Sequence, residues 1–321
     1  MSLNSIRSLL MQKKIKVVYF ATPDIALKSL EYLFNSDSIE ICAVVTQPDK
    51  PAGRGKKLKM SPIKEFALSH NLSVFQPKSI RKEFDIQDSL KKFEPDFFVT
   101  FAFGQILSQD VLDIPKFETI NLHASLLPKY RGANPIQRVI INGEKETGIC
   151  TMITELGLDC GDVCMKQKIA IPNDMTCVDL WEKIAEDSPK LLEETLIGIY
   201  ENKLKPTPQC EDGVCMANKL TKEECLIDWN NTSEDIHNLV RGVYKSPSAY
   251  FMHNDKIIKV LKTEIITNPE TKGDCGKIVK ADKTGVYIAT KNGALKLITV
   301  KPEGKGEMLA RDWYNGVKNA K

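Results

Sequence analysis

The residues Phe97-Phe98-Val99-Thr100-Phe101 lie within an apolar run, 95–104, that shows no alternation of polar and apolar positions. A strand with one wet face alternates with a period of two. A strand without that alternation must be covered on both sides, which is the situation of a central parallel strand. Ile15–Ala21 reads as another buried strand and 39–46 as the next, with a helix over 23–34 between them, Thr22 as its N-cap and Pro23 at its first position.

The same reading continues along the chain. Ser61-Pro62 opens a helix to about residue 70, 74–76 is a short strand, and 83–93 is an amphipathic helix. A short helix at 105–112, a strand at 117–123, a helix at 134–141 and strands at 147–155 and 163–171 follow. The long pattern 176–200 carries its apolar stripe on Leu180, Ile184, Leu191, Leu192 and Leu196 and reads as core packing. These elements predict an α/β domain, a mainly parallel sheet with helices on both faces, over 15–203. Residues 204–220 lack periodicity, contain Pro206 and Pro208, and read as a linker. From 221 to 321 the pattern changes. A helix capped by Ser233 leads to short strands at 256–262, 276–280, 285–290 and 295–301, with Asn292-Gly293 as a hairpin turn, which predicts a small β-barrel. Residues 1–14 are basic and acid-free, without clear amphipathic periodicity, and read as an N-terminal tail rather than a transit peptide.

The chemistry gathers after the strand at 117–123, in Asn121-Leu122-His123-Ala124-Ser125-Leu126-Leu127-Pro128-Lys129-Tyr130-Arg131-Gly132, and in Gly157-Leu158-Asp159-Cys160-Gly161-Asp162. Asn121 and His123, two apart on a strand, point to one side. Loops at the carboxyl ends of strands in an open α/β sheet are where ligands bind. An amide can donate to an oxygen that gains negative charge, an imidazole can move a proton near neutral pH, and a carboxylate can orient that imidazole. Together they suit attack of an amine on a carbonyl carbon with no Ser or Cys nucleophile. His123 taken alone reads equally well as a satisfied, half-buried histidine. A dinucleotide is excluded by the first βα turn, Ala21-Thr22-Pro23-Asp24, which has no Gly-x-Gly-x-x-Gly. The loop at 47–60 carries Lys50, Arg54, Lys56, Lys57 and Lys59 against one acid, Asp49. On charge alone it is either a solvated loop or a basic finger for nucleic acid, with Arg54 as the contact.

Taken together, Asn121-x-His123, Ser125-Leu126-Leu127-Pro128, Arg131-Gly132 and Gly157-Leu158-Asp159-x-Gly161-Asp162 resemble the signature of the 10-formyltetrahydrofolate-dependent formyltransferases. Gln47-Pro48-Asp49-Lys50-Pro51-Ala52-Gly53-Arg54-Gly55-Lys56-Lys57 resembles the loop with which the tRNA-directed branch contacts the acceptor end of charged initiator tRNA. The resemblance runs from about residue 15 to the C-terminus. It implies a Rossmann-like sheet followed by an OB-like barrel, and transfer of a formyl group to the methionine amine on initiator tRNA. In that scheme Asn121 holds the oxyanion, His123 handles the proton or assists the oxyanion, and Asp159 orients His123 or receives the amine proton through water. Ser125, Leu126, Leu127 and Pro128 form the pterin- and folate-binding segment, with Phe103 and Gly104 lining the same pocket. Lys50, Arg54, Lys56 and Lys57 meet the tRNA, and Lys291, Lys296, Lys301 and Lys305 track its backbone. The donor, 10-formyltetrahydrofolate, is a co-substrate, and no nicotinamide is needed. The chain departs from the pattern at Ala21 (usually Gly), Cys160 (commonly Thr) and Ser246 (usually Trp between prolines). A sibling enzyme acting on a small amine would share the three polar residues without needing the basic loop. A non-catalytic RNA-binding protein would need the loop and barrel alone.

A chain of 321 residues is long enough for two domains with their own cores. Its net charge of +3 identifies no partner, but residues 256–321 hold 14 Lys/Arg against 7 Asp/Glu, which suits a phosphate backbone at that end. Nine scattered cysteines, without zinc-site spacing, read as reduced thiols and no metal, in a bacterial cytoplasm with an organelle still open. No apolar stretch reaches a membrane span, and the expected state is a monomer without a membrane partner.

Overall fold

In a computed structural model, residues 13–52, 57–266 and 273–318 are described. Two compact units emerge. The first runs to Arg131 and takes in Gly148–Lys168 and Glu182–Cys215; the second holds Gly132–Thr147, Ile169–Trp181 and the chain from Met216 on.

The strands of the first unit's sheet are β1 (Ile15–Ala21), β2 (Ile39–Val45), β5 (Ser73–Phe75), β6 (Phe97–Phe101), β7 (Glu118–His123), β8 (Glu146–Ile153) and β9 (Val163–Ala170). A separate two-stranded hairpin is made by β3 (Lys50–Ala52) and β4 (Lys57–Lys59). The order is β5-β2-β1-β6-β7-β8-β9, with β5, β2, β1, β6 and β7 parallel and β8 antiparallel to β7. This is the expected mainly parallel, Rossmann-like sheet. All five residues of β6 are buried, as are Val17, Val18, Tyr19, Phe20 and Ala21 of β1, so both faces are covered. The helices of this unit are α1 (Leu27–Phe34), α2 (Pro62–Ser69), α3 (Phe84–Lys91) and α4 (Gln109–Leu112), whereas α5 (Pro135–Ile141) groups with the second unit and α6 (Cys177–Tyr200) belongs to the first from Glu182 on. Alternate strand residues Val18, Phe20, Ala43, Val45 and Phe98 pack with Leu90 of α3 and Val111 of α4. On the opposite parity, Phe97 stacks on Phe117, which in turn meets Tyr200 of α6.

The strand order reverses between β1 and β6. The carboxyl ends of the strands at such a reversal are the common place for ligands in open α/β sheets.

In the second unit, β10 (Ala249–His253), β11 (Lys256–Ile266), β14 (Gly293–Pro302), β13 (Gly285–Thr290) and β12 (Ile278–Asp282) form an antiparallel ladder in that order, with β15 (Met308–Leu309) on β14. It is the β domain expected at this end. Helices α7 (Ser233–Gly242) and α8 (Ala310–Lys318) supply Ile236, Val240, Ala310 and Trp313 to its core, where Phe251 meets both Trp229 and Trp313 edge-on.

Three local expectations are corrected. The first helix is preceded by a 3-10 turn, Asp24–Ala26, and begins at Leu27, because Thr22 does not cap it. Its hydroxyl donates to the Phe103 carbonyl and accepts from the Gln47 N–H. Helix α7 is capped by Thr232, whose hydroxyl accepts from Asp235 N–H, while the Ser233 hydroxyl pairs with that of Thr290. The β13–β14 hairpin turns at Lys291-Asn292, since Gly293 already pairs with Thr290; the Asn292 side chain accepts from Ser233 N–H. Ser61 caps α2 as expected.

Candidate active site

Parallel register sets Thr100 of β6 opposite Asn121 of β7. The Thr100 hydroxyl donates to Asn121 Oδ1 at 2.9 Å. With the oxygen engaged as acceptor, the Nδ2 hydrogens are the amide's remaining donors.

Two residues on, His123 is buried at the end of β7. Its Nε2 lies 2.9 Å from the Tyr130 carbonyl, and its Nδ1 lies 3.6 Å from Asp159 Oδ2. A carbonyl can only accept, so Nε2 carries the hydrogen and Nδ1 is the atom left to gain or lose a proton. That atom faces the carboxylate. The three residues singled out in the sequence thus comprise a buried histidine facing a half-buried carboxylate, and an oriented amide on the histidine's own strand.

The loop from Ser125 to Tyr130 is fixed by its own contacts. Ser125 is fully buried, and its hydroxyl donates to Lys129 O. Leu127 N–H donates to the Cys150 sulfur, and the Leu127 carbonyl accepts from Lys166 Nζ at 2.5 Å. Burial pushes the Cys150 thiol up to about 11, which keeps it neutral. The Leu127 side chain packs into a cluster with Cys150, Met152 and Val163, while Leu126 is half-buried beside Gly148. Pro128 follows Leu127 through a cis peptide bond and is half-buried. Tyr130 adopts φ +61°, which turns its carbonyl toward His123.

Asp159 stands in the loop between β8 and β9 with φ +49°, a conformation that Asp and Asn tolerate better than most residues. The loop is pinched by Ile153 N–H to Asp162 O, and a side chain at Gly161 would meet Ile153 O at 2.1 Å. Cys160 lies over Gly157, its sulfur 4.0 Å from Glu155 Oε2. At the start of β7, Glu118 is held above the usual carboxylate range by burial and then by Asp162 and Glu155.

The Phe103 ring is buried edge-on to Phe20, and its carbonyl accepts from both Thr22 and Gln47. Gly104 follows with φ +82° and is exposed. Gln47 is the root of the β3–β4 hairpin. Lys50 pairs with Lys59 in that hairpin, and Lys57 pairs with Ala52. Arg54 and Lys56 lie outside the described residues.

Sequence reasoning missed three contributors, Thr100, Lys166 and Gln209, and found a fourth, Arg131, only as part of a motif. Thr100 sits in an apolar run. Lys166 lies on an edge strand. Arg131 is bound through Nε and Nη2 to Gln209, and Gln209 lies in the segment read as a linker. Their partners are too distant in sequence for a local pattern; a polar Thr within an otherwise apolar central strand was the one available hint. Among the described residues, no group of three or more His, Cys, Asp or Glu could hold a metal ion. No helix among them is long and apolar enough to cross a membrane.

Comparison with known proteins places this geometry in a family. The model described as "Formyl transferase" matches residues 13–196, and "Formyl transferase, C-terminal domain" matches 219–318. The chain is 43% identical over 302 residues to the methionyl-tRNA formyltransferase of Clostridium perfringens, covering 94% of this chain and 97% of the relative. In fold it resembles the N-formyltransferase of Helicobacter canadensis in complex with folinic acid and dTDP-3-aminofucose, with TM-score 0.64, 20% identity, and coverage of 88% and 98% of the two chains. It also resembles HypX of Aquifex aeolicus in complex with tetrahydrofolic acid, with TM-score 0.62, 16% identity and coverage of 94% of this chain; it spans only 47% of HypX. Matched by both domain models and by a full-length relative, the chain belongs to the formyl transferase family, alongside the methionyl-tRNA formyltransferases.

Proposed function

We propose that this chain transfers the formyl group of 10-formyltetrahydrofolate to the α-amino group of methionine on initiator tRNA. The observation that carries the chemistry is the Asn121 amide, oriented by Thr100, two residues along β7 from the His123–Asp159 pair. The amine attacks the formyl carbon and the carbonyl oxygen becomes an oxyanion. Asn121 Nδ2 donates to that oxyanion. His123 Nδ1 and Asp159 handle the proton that leaves the amine. Collapse breaks the bond to N10 of the folate, which gains a proton, and leaves a formamide on methionine.

The Phe103-Gly104 turn and the segment Ser125–Pro128 bind the folate in this reading, with the backbone of the latter fixed by Ser125, Cys150 and Lys166. Lys50, Arg54, Lys56 and Lys57 meet the acceptor end of the tRNA, and the C-terminal β domain tracks its backbone. The formyl-transfer domain spans 15–203, joined by 204–220 to a tRNA-binding domain over 221–321. The enzyme acts as a monomer, and in a bacterial cytoplasm, a reducing compartment that fits its nine free cysteines.

The test offers the protein three acceptors with 10-formyltetrahydrofolate: charged initiator tRNA, uncharged tRNA and glycinamide ribonucleotide. Acid gels then separate formylated from unformylated aminoacyl-tRNA. We expect transfer to the charged initiator alone. Transfer to the small amine alone would keep the catalytic residues and remove the tRNA reading. RNA binding without transfer to any acceptor would remove both.

A further inference from the structure

We propose that Gln209 is a positioning residue for the His123–Asp159 pair, using one side-chain amide to tie together the backbone behind both partners. Its Nε2 donates to the carbonyls of Asp159 at 2.9 Å and Gly161 at 2.8 Å. Those two bonds close the turn that holds Asp159 at positive φ. On the other side, its Oε1 accepts from Arg131 Nε at 3.1 Å and Nη2 at 2.8 Å. Arg131 directly follows Tyr130, whose carbonyl fixes His123 Nε2. The main chain at this point is fastened to Cys215, with Tyr130 N–H to its sulfur and Arg131 N–H to its carbonyl.

The chemistry of the four partners specifies the residue. Two carbonyls accept and a guanidinium donates, so the bridge needs two donors on one atom and an acceptor on the other. Glutamine supplies both; glutamate lacks the donors and lysine lacks the acceptor. The segment carrying it is anchored two residues earlier, where Thr207 and Val163 exchange both backbone hydrogen bonds. Gln209 therefore sets the separation of His123 Nδ1 and Asp159 Oδ2 without touching either side chain.

The inference rests on the formyl-transfer reading for its kinetic arm only. The first arm follows the pH titration of the His123 ring by 15N NMR in wild type, Gln209→Glu and Asp159→Asn. Gln209→Glu keeps the acceptor for Arg131 and loses both donors. We expect its His123 titration to move in the same direction as that of Asp159→Asn; a titration superimposable on wild type would overturn the proposal, whatever the enzyme formylates. If Gln209→Glu does not fold, Arg131→Ala, which leaves the Gln209 donors in place but releases its oxygen, serves as the second variant under the same two outcomes. The second arm measures kcat and KM. Misplacing a catalytic pair by a fraction of an ångström to an ångström costs up to about 100-fold, so we expect kcat to fall by about that factor with KM for both substrates little changed. Adding Gln209→Glu to Asp159→Asn should then cost less than about threefold more, because both act through one pair. Full additivity of the two losses would mean that Gln209 acts elsewhere and would overturn the proposal.

Discussion

Asn121 serves as an oxyanion donor only if its nitrogen, not its oxygen, faces the reacting carbonyl. Thr100 decides that. Its hydroxyl reaches across the parallel ladder to Oδ1, and without it the amide can turn over and present the wrong pole. We expect Thr100→Val to lower kcat about 3- to 10-fold, the equivalent of the ~0.5–1.5 kcal/mol of one hydrogen bond, with KM for the folate donor unchanged. Steady-state kinetics on charged initiator tRNA measures this, and an unaltered kcat would mean that the amide is oriented by something else. At this scale the three side chains of the proposed site were legible as candidates, because Asn121, His123 and Asp159 are polar groups at a strand end and in a loop, where packing has little use for them. The residues that hold them were not. Thr100 and Gln209 stand 21 and 50 residues from the groups they orient, and hydrogen bonds over such separations leave no local periodicity.

Elements were read well where their termini are self-contained. Ser61 caps α2 through a bond to a residue three positions away, and Thr176 and Asp179 cap α6 reciprocally. The reading slipped where a capping hydroxyl is claimed from outside the helix, as Thr22 is by Phe103 and Gln47, and Ser233 by Thr290. The β3–β4 hairpin illustrates the same coupling. At its base Asp49 accepts from Lys64 Nζ and from Gln76 Nε2, both at 2.7 Å. The bond from Lys64, and then that from Gln76, holds the Asp49 carboxyl below its ordinary value of 3.8. A depressed carboxylate contributes stability above its unfolded pKa and loses it as pH falls through the folded one. Asp49→Asn should therefore lower the Tm at neutral pH, with the gap to wild type closing as pH falls below about 4. Melting curves of both proteins across that range measure it; a gap that does not change with pH would show that the charge on Asp49 does not hold the hairpin base.

For the whole molecule, the succession of strands and helices and the change from an α/β pattern to a β-rich one were visible in the chain, because period and β-branched content differ between its two parts; the order of the strands within the sheet was not. Nor was the composition of the compact units. Gly132–Thr147 and Ile169–Trp181 group with the C-terminal part of the chain, although each is embedded in the α/β stretch of the sequence. The apolar faces of α5 and of the start of α6 are equally compatible with either core when read locally. What unites the molecule functionally is a single claim: that a strand-end amide beside a His–Asp pair transfers a formyl group to an amine presented on tRNA. A single-turnover comparison of wild type and Asn121→Ala, with 10-formyltetrahydrofolate and charged initiator tRNA, tests it most directly. Removing an oxyanion donor of this kind costs about 100- to 1000-fold in rate, and we expect that loss with binding of the folate largely kept. A variant that formylates the tRNA at close to the wild-type rate would contradict the assignment of this site.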